Sequence, residues 1–282
     1  MLHECHKIQV DYAKAGANQD GFMPKLYTYI LDRSEALPFQ QKRPAVIICP
    51  GGGYHFKSDR EAEPVAMRFL AAGIHAFVLQ YSVAPSRYPS SALELAAAVQ
   101  LVRENAENWG ILPDRIFIAG FSAGGHLCAT LGTLWDESVF EKAFDFQRGR
   151  DKSWRPDGMI LCYPVISFGE YGHKGSRDNL LGPDASSEQA HKLSLETRVG
   201  PGTVPAFLWH TFEDSSVPVE NSLQFALALR KAKVPFEMHI YEKGGHGLSL
   251  CDETTSQYEN QLVPDDADWI QLAIRWVKRK GR

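Results

Sequence analysis

Gly120-Phe121-Ser122-Ala123-Gly124 follows the apolar run Ile116-Phe117-Ile118-Ala119 and precedes His126-Leu127-Cys128-Ala129-Thr130-Leu131. The first run reads as a buried strand and the second as a helix, so Ser122 falls on the sharp corner between them. A bare G-x-S-x-G pattern is a weak signal. At a strand-to-helix corner it reads as a nucleophile elbow. Such a corner strains the serine backbone and brings strand and helix too close for side chains, hence the flanking glycines.

Outward from the elbow, strands and helices alternate. Residues 45–49 form a short apolar strand of the kind buried on both faces. Residues 61–72 read as a helix ended by Gly73, and 75–80 as the next strand. Residues 92–108 read as one long amphipathic helix, with Leu95, Ala98, Val99 and Val102 on its apolar side and an end near Gly110. Beyond the elbow come strands at 159–163 and 206–210, a helix at 222–233, a strand at 236–241 and an amphipathic helix at 265–280. Two β-like segments, 7–13 and 26–31, make an antiparallel start. This order predicts the α/β class, with a mostly parallel central sheet flanked by helices on both faces, as a single domain over 1–282. Two segments interrupt the rhythm: 136–156, charged and aromatic, and 165–205, rich in Gly, Ser and His. The second follows the C-terminal end of a strand, where ligands bind in such sheets, and is expected to be a small lid or substrate-facing insertion.

The composition agrees. With 282 residues, 44% hydrophobic and 23% charged, the chain suits one large soluble α/β domain. A net charge of −4 gives no reason to expect nucleic acid or an anionic membrane as partner. No run approaches the roughly 18 apolar residues of a membrane span. The residues Met1-Leu2-His3-Glu4-Cys5-His6 lack a secretory h-region, so the expected compartment is the cytoplasm. Cys49 and Cys162 in strands and Cys128 in a helix are expected as buried free thiols. His3, Cys5 and His6 are weighed as a metal site and set aside in favour of a frayed terminus. Neither a metal nor an organic cofactor is expected.

A serine hydroxyl needs a base, and the base needs an orienting carboxylate. Serine hydrolases with an elbow carry them in the order Ser, acid, His, each after a strand. The strand at 206–210 ends in Thr211-Phe212-Glu213-Asp214-Ser215-Ser216-Val217-Pro218, and the strand at 236–241 ends in Glu242-Lys243-Gly244-Gly245-His246-Gly247. Asp214 and His246 are therefore the candidate acid and base for Ser122. Glu213 is the competing acid, but its neighbour position points it elsewhere, and Asp252 comes after the histidine, in the wrong order. His210 is expected to hold the acid loop and His126 to pack behind the elbow. His55, His173 and His191 are expected on solvent- or substrate-facing loops. Pro50-Gly51-Gly52-Gly53-Tyr54 follows the strand at 45–49. Its glycines let backbone N–H groups face a developing oxyanion. With the Ala123 N–H, Gly52 and Gly53 are the expected donors, and Gly51 less so. A phosphate loop is disfavoured, because the Lys-Ser/Thr of such a loop is missing.

Together, Pro50-Gly51-Gly52-Gly53-Tyr54, Gly120-Phe121-Ser122-Ala123-Gly124-Gly125-His126, Asp214-Ser215-Ser216-Val217-Pro218 and Gly245-His246-Gly247 resemble the bacterial acetyl esterase/acetyl-xylan esterase-like α/β hydrolases. Arg60-Glu61-Ala62-Glu63-Pro64 and Tyr81-Ser82-Val83-Ala84-Pro85 extend the similarity over most of the chain. The resemblance implies the α/β-hydrolase fold and hydrolysis of small acyl esters, often acetyl groups on xylan-derived sugars. It implies Ser122, Asp214 and His246 as nucleophile, acid and base. One departure is Pro50, where the related hormone-sensitive-lipase group usually has His. The expected partner is a small-molecule ester, an acylated sugar above all, and a homo-oligomer stays open. Tyr54, Tyr81, Tyr163, Phe168 and Tyr171 are candidates to stack on a sugar ring, weighed against ordinary packing. The rival readings are an arylformamidase, a prolyl-oligopeptidase-like peptidase, or a non-catalytic binding protein that has kept the fold.

Overall fold

The computed structural model describes residues 1–38, 41–144 and 152–279. Its described residues contain eight strands: β1 (Cys5–Lys7), β2 (Lys25–Tyr29), β3 (Arg43–Cys49), β4 (His75–Gln80), β5 (Ile111–Phe121), β6 (Gly158–Cys162), β7 (Ala206–Thr211) and β8 (Phe236–Tyr241). They form one sheet in the order β1-β2-β4-β3-β5-β6-β7-β8. β2 pairs antiparallel with both of its neighbours, β1 and β4, and every neighbouring pair from β4 to β8 in that order is parallel. The helices are α1 (Glu63–Ala71), α2 (Ser90–Glu104), α3 (Ala106–Trp109), α4 (Ala123–Leu134), α5 (Ser138–Ala143), α6 (Lys174–Leu181), α7 (Ser187–Lys192), α8 (Glu220–Lys231) and α9 (Trp269–Arg279).

The wholly apolar sequence of β3 follows from this topology. Successive side chains point to opposite faces, and here both faces are covered. Ala45, Ile47 and Cys49 join the core that takes Leu93 and Val99 of α2, Leu127 and Leu131 of α4, and Phe225 of α8. Val46 and Ile48 join the other core, with Val65 and Phe69 of α1 and Trp269 and Trp276 of α9. Trp209 of β7 stacks on Trp269 with ring centroids 5.0 Å apart, fixing the C-terminal helix against the sheet. No helix among the described residues is long and apolar enough to cross a membrane.

Several expectations need correction. The segment 7–13 is not a strand: β1 stops at Lys7 and a turn follows. The first residues are not frayed, since Leu2 exchanges backbone hydrogen bonds with Ile30 and His3 Nδ1 meets the Thr28 carbonyl at 2.8 Å. The helix expected over 92–108 is two, because the Asn105 side chain turns back to bond the Leu101 carbonyl at 2.9 Å and competes with the helical ladder. The last helix begins at Trp269, after a 3-10 turn at Pro264–Asp266; Lys280, where it was expected to end, lies outside the described residues. So does part of the charged segment 136–156, namely 145–151.

α2 is also less amphipathic than it reads, because Glu94 is fully buried in it. Its carboxyl accepts from Ser82 N–H and Ser82 Oγ, both at 2.6 Å, and from Tyr12 Oη at 2.8 Å. Burial raises its pKa to about 7 against the opposing pull of those donors and of Lys57. A raised carboxyl pKa means that the fold holds the proton more tightly than the unfolded chain. This contribution is complete below the ordinary value of 4.5 and is lost as pH rises through about 7. Glu94→Gln mimics the protonated form. Its unfolding free energy, measured by urea titration, should match wild type near pH 4.5 and exceed it at pH 8, by on the order of 3 kcal/mol.

Candidate active site

β5 ends at Phe121, and Ser122 takes φ 52° and ψ −117° before α4 begins at Ala123. Positive φ on a residue with a side chain is strained, on the order of 1–3 kcal/mol, and persists only where the surroundings impose it. They do so here by contact. A Cβ on Gly124 would lie 2.1 Å from the Cys49 carbonyl oxygen, and one on Gly120 would lie 2.1 Å from that of Gly124. A Cβ on Gly125 would lie 2.7 Å from the Pro164 ring. The elbow is thus wedged between the ends of β3 and β6, with Ser122 almost buried.

The loops after β7 and β8 reach the same point. His246 Nε2 lies 2.8 Å from Ser122 Oγ, and His246 Nδ1 lies 2.7 Å from Asp214 Oδ2. An ionised carboxylate only accepts, so Nδ1 carries the proton and Nε2 presents its lone pair to the serine hydroxyl. Asp214 is held from several sides. Its Oδ1 accepts from the Ser216 and Val217 N–H groups at 3.0 and 2.9 Å. Burial raises its pKa, but hydrogen bonds from His210 and His246, the attraction of His246 when that ring is protonated, and the Val217 N–H outweigh this and hold the carboxyl well below its ordinary range. His210 is fully buried, meets the Val217 carbonyl at 2.9 Å and Ser222 Oγ at 2.8 Å, and approaches Asp214 Oδ2 at 3.3 Å. It braces the acid loop, as its strand-end position suggests.

The competing residues are engaged elsewhere. Glu213 pairs with Lys243 at 3.1 Å and accepts from Gly244 N–H. Asp252 pairs with Arg68 at 2.6 Å. His126 is buried between Tyr54 Oη and the Leu193 carbonyl, each at 2.9 Å. His55 is exposed on its loop, whereas His191 lies in α7. His173 stands at the start of α6. Of the five candidate stacking aromatics, Tyr54, Tyr81, Tyr163 and Phe168 are buried and serve the core, which leaves Tyr171 alone partly open.

The glycine loop after β3 lies against the elbow: a Cβ on Gly51 would stand 3.1 Å from Ser122 Cβ. Gly52 takes φ 126°, and a Cβ there would lie 2.3 Å from the Phe56 carbonyl oxygen. Among the described residues no protein acceptor takes the N–H of Gly52, Gly53 or Ala123. The Gly51 N–H, by contrast, donates to Glu61 Oε2 at 2.8 Å. This assigns Gly51 to holding the loop and leaves the other two glycines free to donate.

Sequence reasoning missed the residue behind this arrangement. Glu61 is buried, and its Oε1 accepts from Tyr163 Oη at 2.6 Å. Burial raises its pKa, opposed by the bonds from Tyr163 and Gly51. Tyr163 Oη in turn accepts from Ser249 N–H at 2.9 Å, and its ring meets that of His246 edge-on, centroids 5.1 Å apart. Trp269 Nε1 holds the Ser249 carbonyl at 2.9 Å. One carboxyl thus ties the glycine loop to the histidine loop. Its only trace in the sequence was its place in the run Arg60–Pro64.

Among the described residues no group of three or more His, Cys, Asp or Glu could hold a metal ion.

The BD-FAE family model matches residues 36–229. The chain is 39% identical over 239 residues to endo-1,4-beta-xylanase B of Butyrivibrio fibrisolvens, covering 83% of this chain and 36% of that protein. It is 30% identical to the acetylxylan esterase of Xylanibacter ruminicola, covering 83% of this chain and 47% of that one. The chain therefore spans between a third and a half of the length of these curated relatives. Among solved structures, the acetyl ester-xyloside bifunctional hydrolase from Caldicellulosiruptor lactoaceticus superposes with a TM-score of 0.78 at 40% identity, covering 93% of this chain and 90% of that one.

Replacing Tyr163 with Phe keeps the ring and removes one oxygen, leaving Ser249 N–H and one Glu61 oxygen unpaired in a buried site. Urea unfolding should register a loss of about 1–3 kcal/mol for each orphaned group. A variant as stable as wild type would show that the tie carries no load.

Proposed function

Because the chain belongs to the BD-FAE family, we propose that it is a serine carboxylesterase that hydrolyses small acyl esters, acetyl esters above all, on xylan-derived or other sugars. The observation that carries the chemistry is the unbroken run from Asp214 through His246 to Ser122, beside three N–H groups that have no protein acceptor among the described residues. The names of the xylan-related proteins above support a sugar as the alcohol half of the ester.

In this reading the ester carbonyl oxygen lies among the N–H groups of Gly52, Gly53 and Ala123. Ser122 Oγ attacks the carbonyl carbon as His246 Nε2 takes the hydroxyl proton, and Asp214 stabilises the imidazolium that results. The tetrahedral oxyanion gains the three donors, two from the glycine loop and one from the first turn of α4, whose dipole favours negative charge there. Collapse expels the alkoxide, which His246 protonates as it leaves. Water then adds to the acyl-serine as His246 accepts its proton, and the second tetrahedral intermediate collapses with His246 returning that proton to Ser122 Oγ, which frees the carboxylic acid. Each donor to the oxyanion supplies about 3 kcal/mol of transition-state stabilisation. Since Glu61 ties the glycine loop to the histidine loop, the donors and the base keep their spacing through both steps. The whole chain acts as one unit, with residues 165–205 forming the substrate-facing cover.

With p-nitrophenyl acetate, Ser122→Ala should lower kcat by at least about 10⁴-fold; activity that survives the substitution contradicts the assignment. Gly52→Ala places a methyl against the Phe56 carbonyl and shifts the N–H out of line. Steady-state kinetics should show kcat down about 10²-fold with little change in KM. A rise in KM alone would remove Gly52 from the transition state.

A further inference from the structure

His173 does two things at the edge of the site. It caps α6: its Nδ1 accepts from Ser176 N–H at 3.1 Å and from Ser176 Oγ at 2.8 Å. A ring nitrogen that accepts from a backbone N–H carries no proton, so the neutral ring must carry its proton on Nε2. Partial burial, with the nearby His246, lowers the pKa of His173 despite the opposing pull of Asp214. The ring therefore stays a neutral donor of fixed orientation.

The same ring overlies the glycine loop. A Cβ on Gly53 would stand 4.0 Å from His173 Cε1 and 3.9 Å from Ser176 Oγ. Asn179, in the same helix, donates its amide to the Gly53 carbonyl at 2.9 Å, so α6 and the loop are fixed to each other. Among the described residues no protein group pairs with His173 Nε2, although the ring is only half-buried. A directed donor beside an oxyanion loop is a substrate contact looking for an acceptor.

A small acyl group offers no oxygen besides the carbonyl, and the backbone N–H groups claim that one. We propose that His173 Nε2–H binds an oxygen of the alcohol half of the ester, a hydroxyl or ring oxygen beside the esterified position, and so selects polyol esters over apolar ones. This deepens the carboxylesterase reading and rests on it. Arg177 and Lys174 on the same helix are committed to Asp178, and neither is needed for this contact.

The role can be separated from capping, because Asn and Ser also cap helices but cannot extend a donor to the position of Nε2. His173→Asn and His173→Ser are compared with wild type on methyl β-xyloside monoacetate and on cyclohexyl acetate, which has the same ring size and no further oxygen. The ratio of kcat/KM for the xyloside ester to that for cyclohexyl acetate should fall about three- to tenfold in both variants, mainly through KM, the scale of one neutral hydrogen bond. A ratio unchanged in either folded variant overturns the subsite while leaving ester hydrolysis intact. A wild-type enzyme that turns over neither acetate overturns the carboxylesterase reading, and the subsite with it.

Discussion

The geometry of the site depends on one backbone corner. Ser122 must hold positive φ, and nothing local to the residue favours it. The corner is imposed by three close approaches, of Gly124 to the end of β3, of Gly120 to Gly124, and of Gly125 to Pro164 after β6. A Cβ at any of these points would overlap its neighbour, at 2.1 Å from a carbonyl oxygen for Gly124 and Gly120 and at 2.7 Å from the Pro164 ring for Gly125. In return for the strain, the start of α4 lies directly against the loops that follow β3 and β6. The glycine loop after β3 then lies against the serine, where a Cβ on Gly51 would stand 3.1 Å from Ser122 Cβ. Burial of the whole of α4 holds the strained turn in place. Removing its large apolar side chains from water stabilises each by about 1.5–3 kcal/mol, more than the strain of one residue.

A second layer keeps the loops in step with the corner. Burial alone pushes the Asp214 pKa upward; the hydrogen bonds from His210, His246 and the Val217 N–H outweigh it and hold the carboxyl well below its ordinary range. Glu61 plays the matching part on the other side, where it meets a glycine-loop N–H and the Tyr163 phenol that props the His246 ring and its loop. Both carboxyls are buried, and both are surrounded by donors. The site is therefore set by polar networks that the sheet core encloses, and the precision of the loops comes from those networks rather than from the loop residues' own preferences.

The legible part of this structure was the part governed by period and order. The apolar β3 and the elbow between β5 and α4 are local patterns, and the order of Ser122, Asp214 and His246 at strand ends follows from sheet topology. β4 and β8 fall at the expected bounds, 75–80 and 236–241. The parts that were not legible depend on long-range partners. Glu94 reads as the polar side of an amphipathic helix until Ser82 and Tyr12 are brought to it across the fold. Glu61 is one acid in a charged run until Tyr163 meets it from 102 positions away. The buried aromatics looked available for stacking because sequence does not show which face of a strand-end loop is covered. His173 looked like any loop histidine, and only its bond to Ser176 reveals which ring nitrogen is left to donate.

The most direct test of this account is a crystal structure after inhibition by an aryl phosphonate, whose phosphonyl group imitates the tetrahedral oxyanion. The account predicts phosphorus bonded to Ser122 Oγ, with the phosphonyl oxygen about 2.7–3.1 Å from the backbone nitrogens of Ala123 and of Gly52 or Gly53. Attachment at any other residue, or a phosphonyl oxygen turned away from those nitrogens, would contradict it.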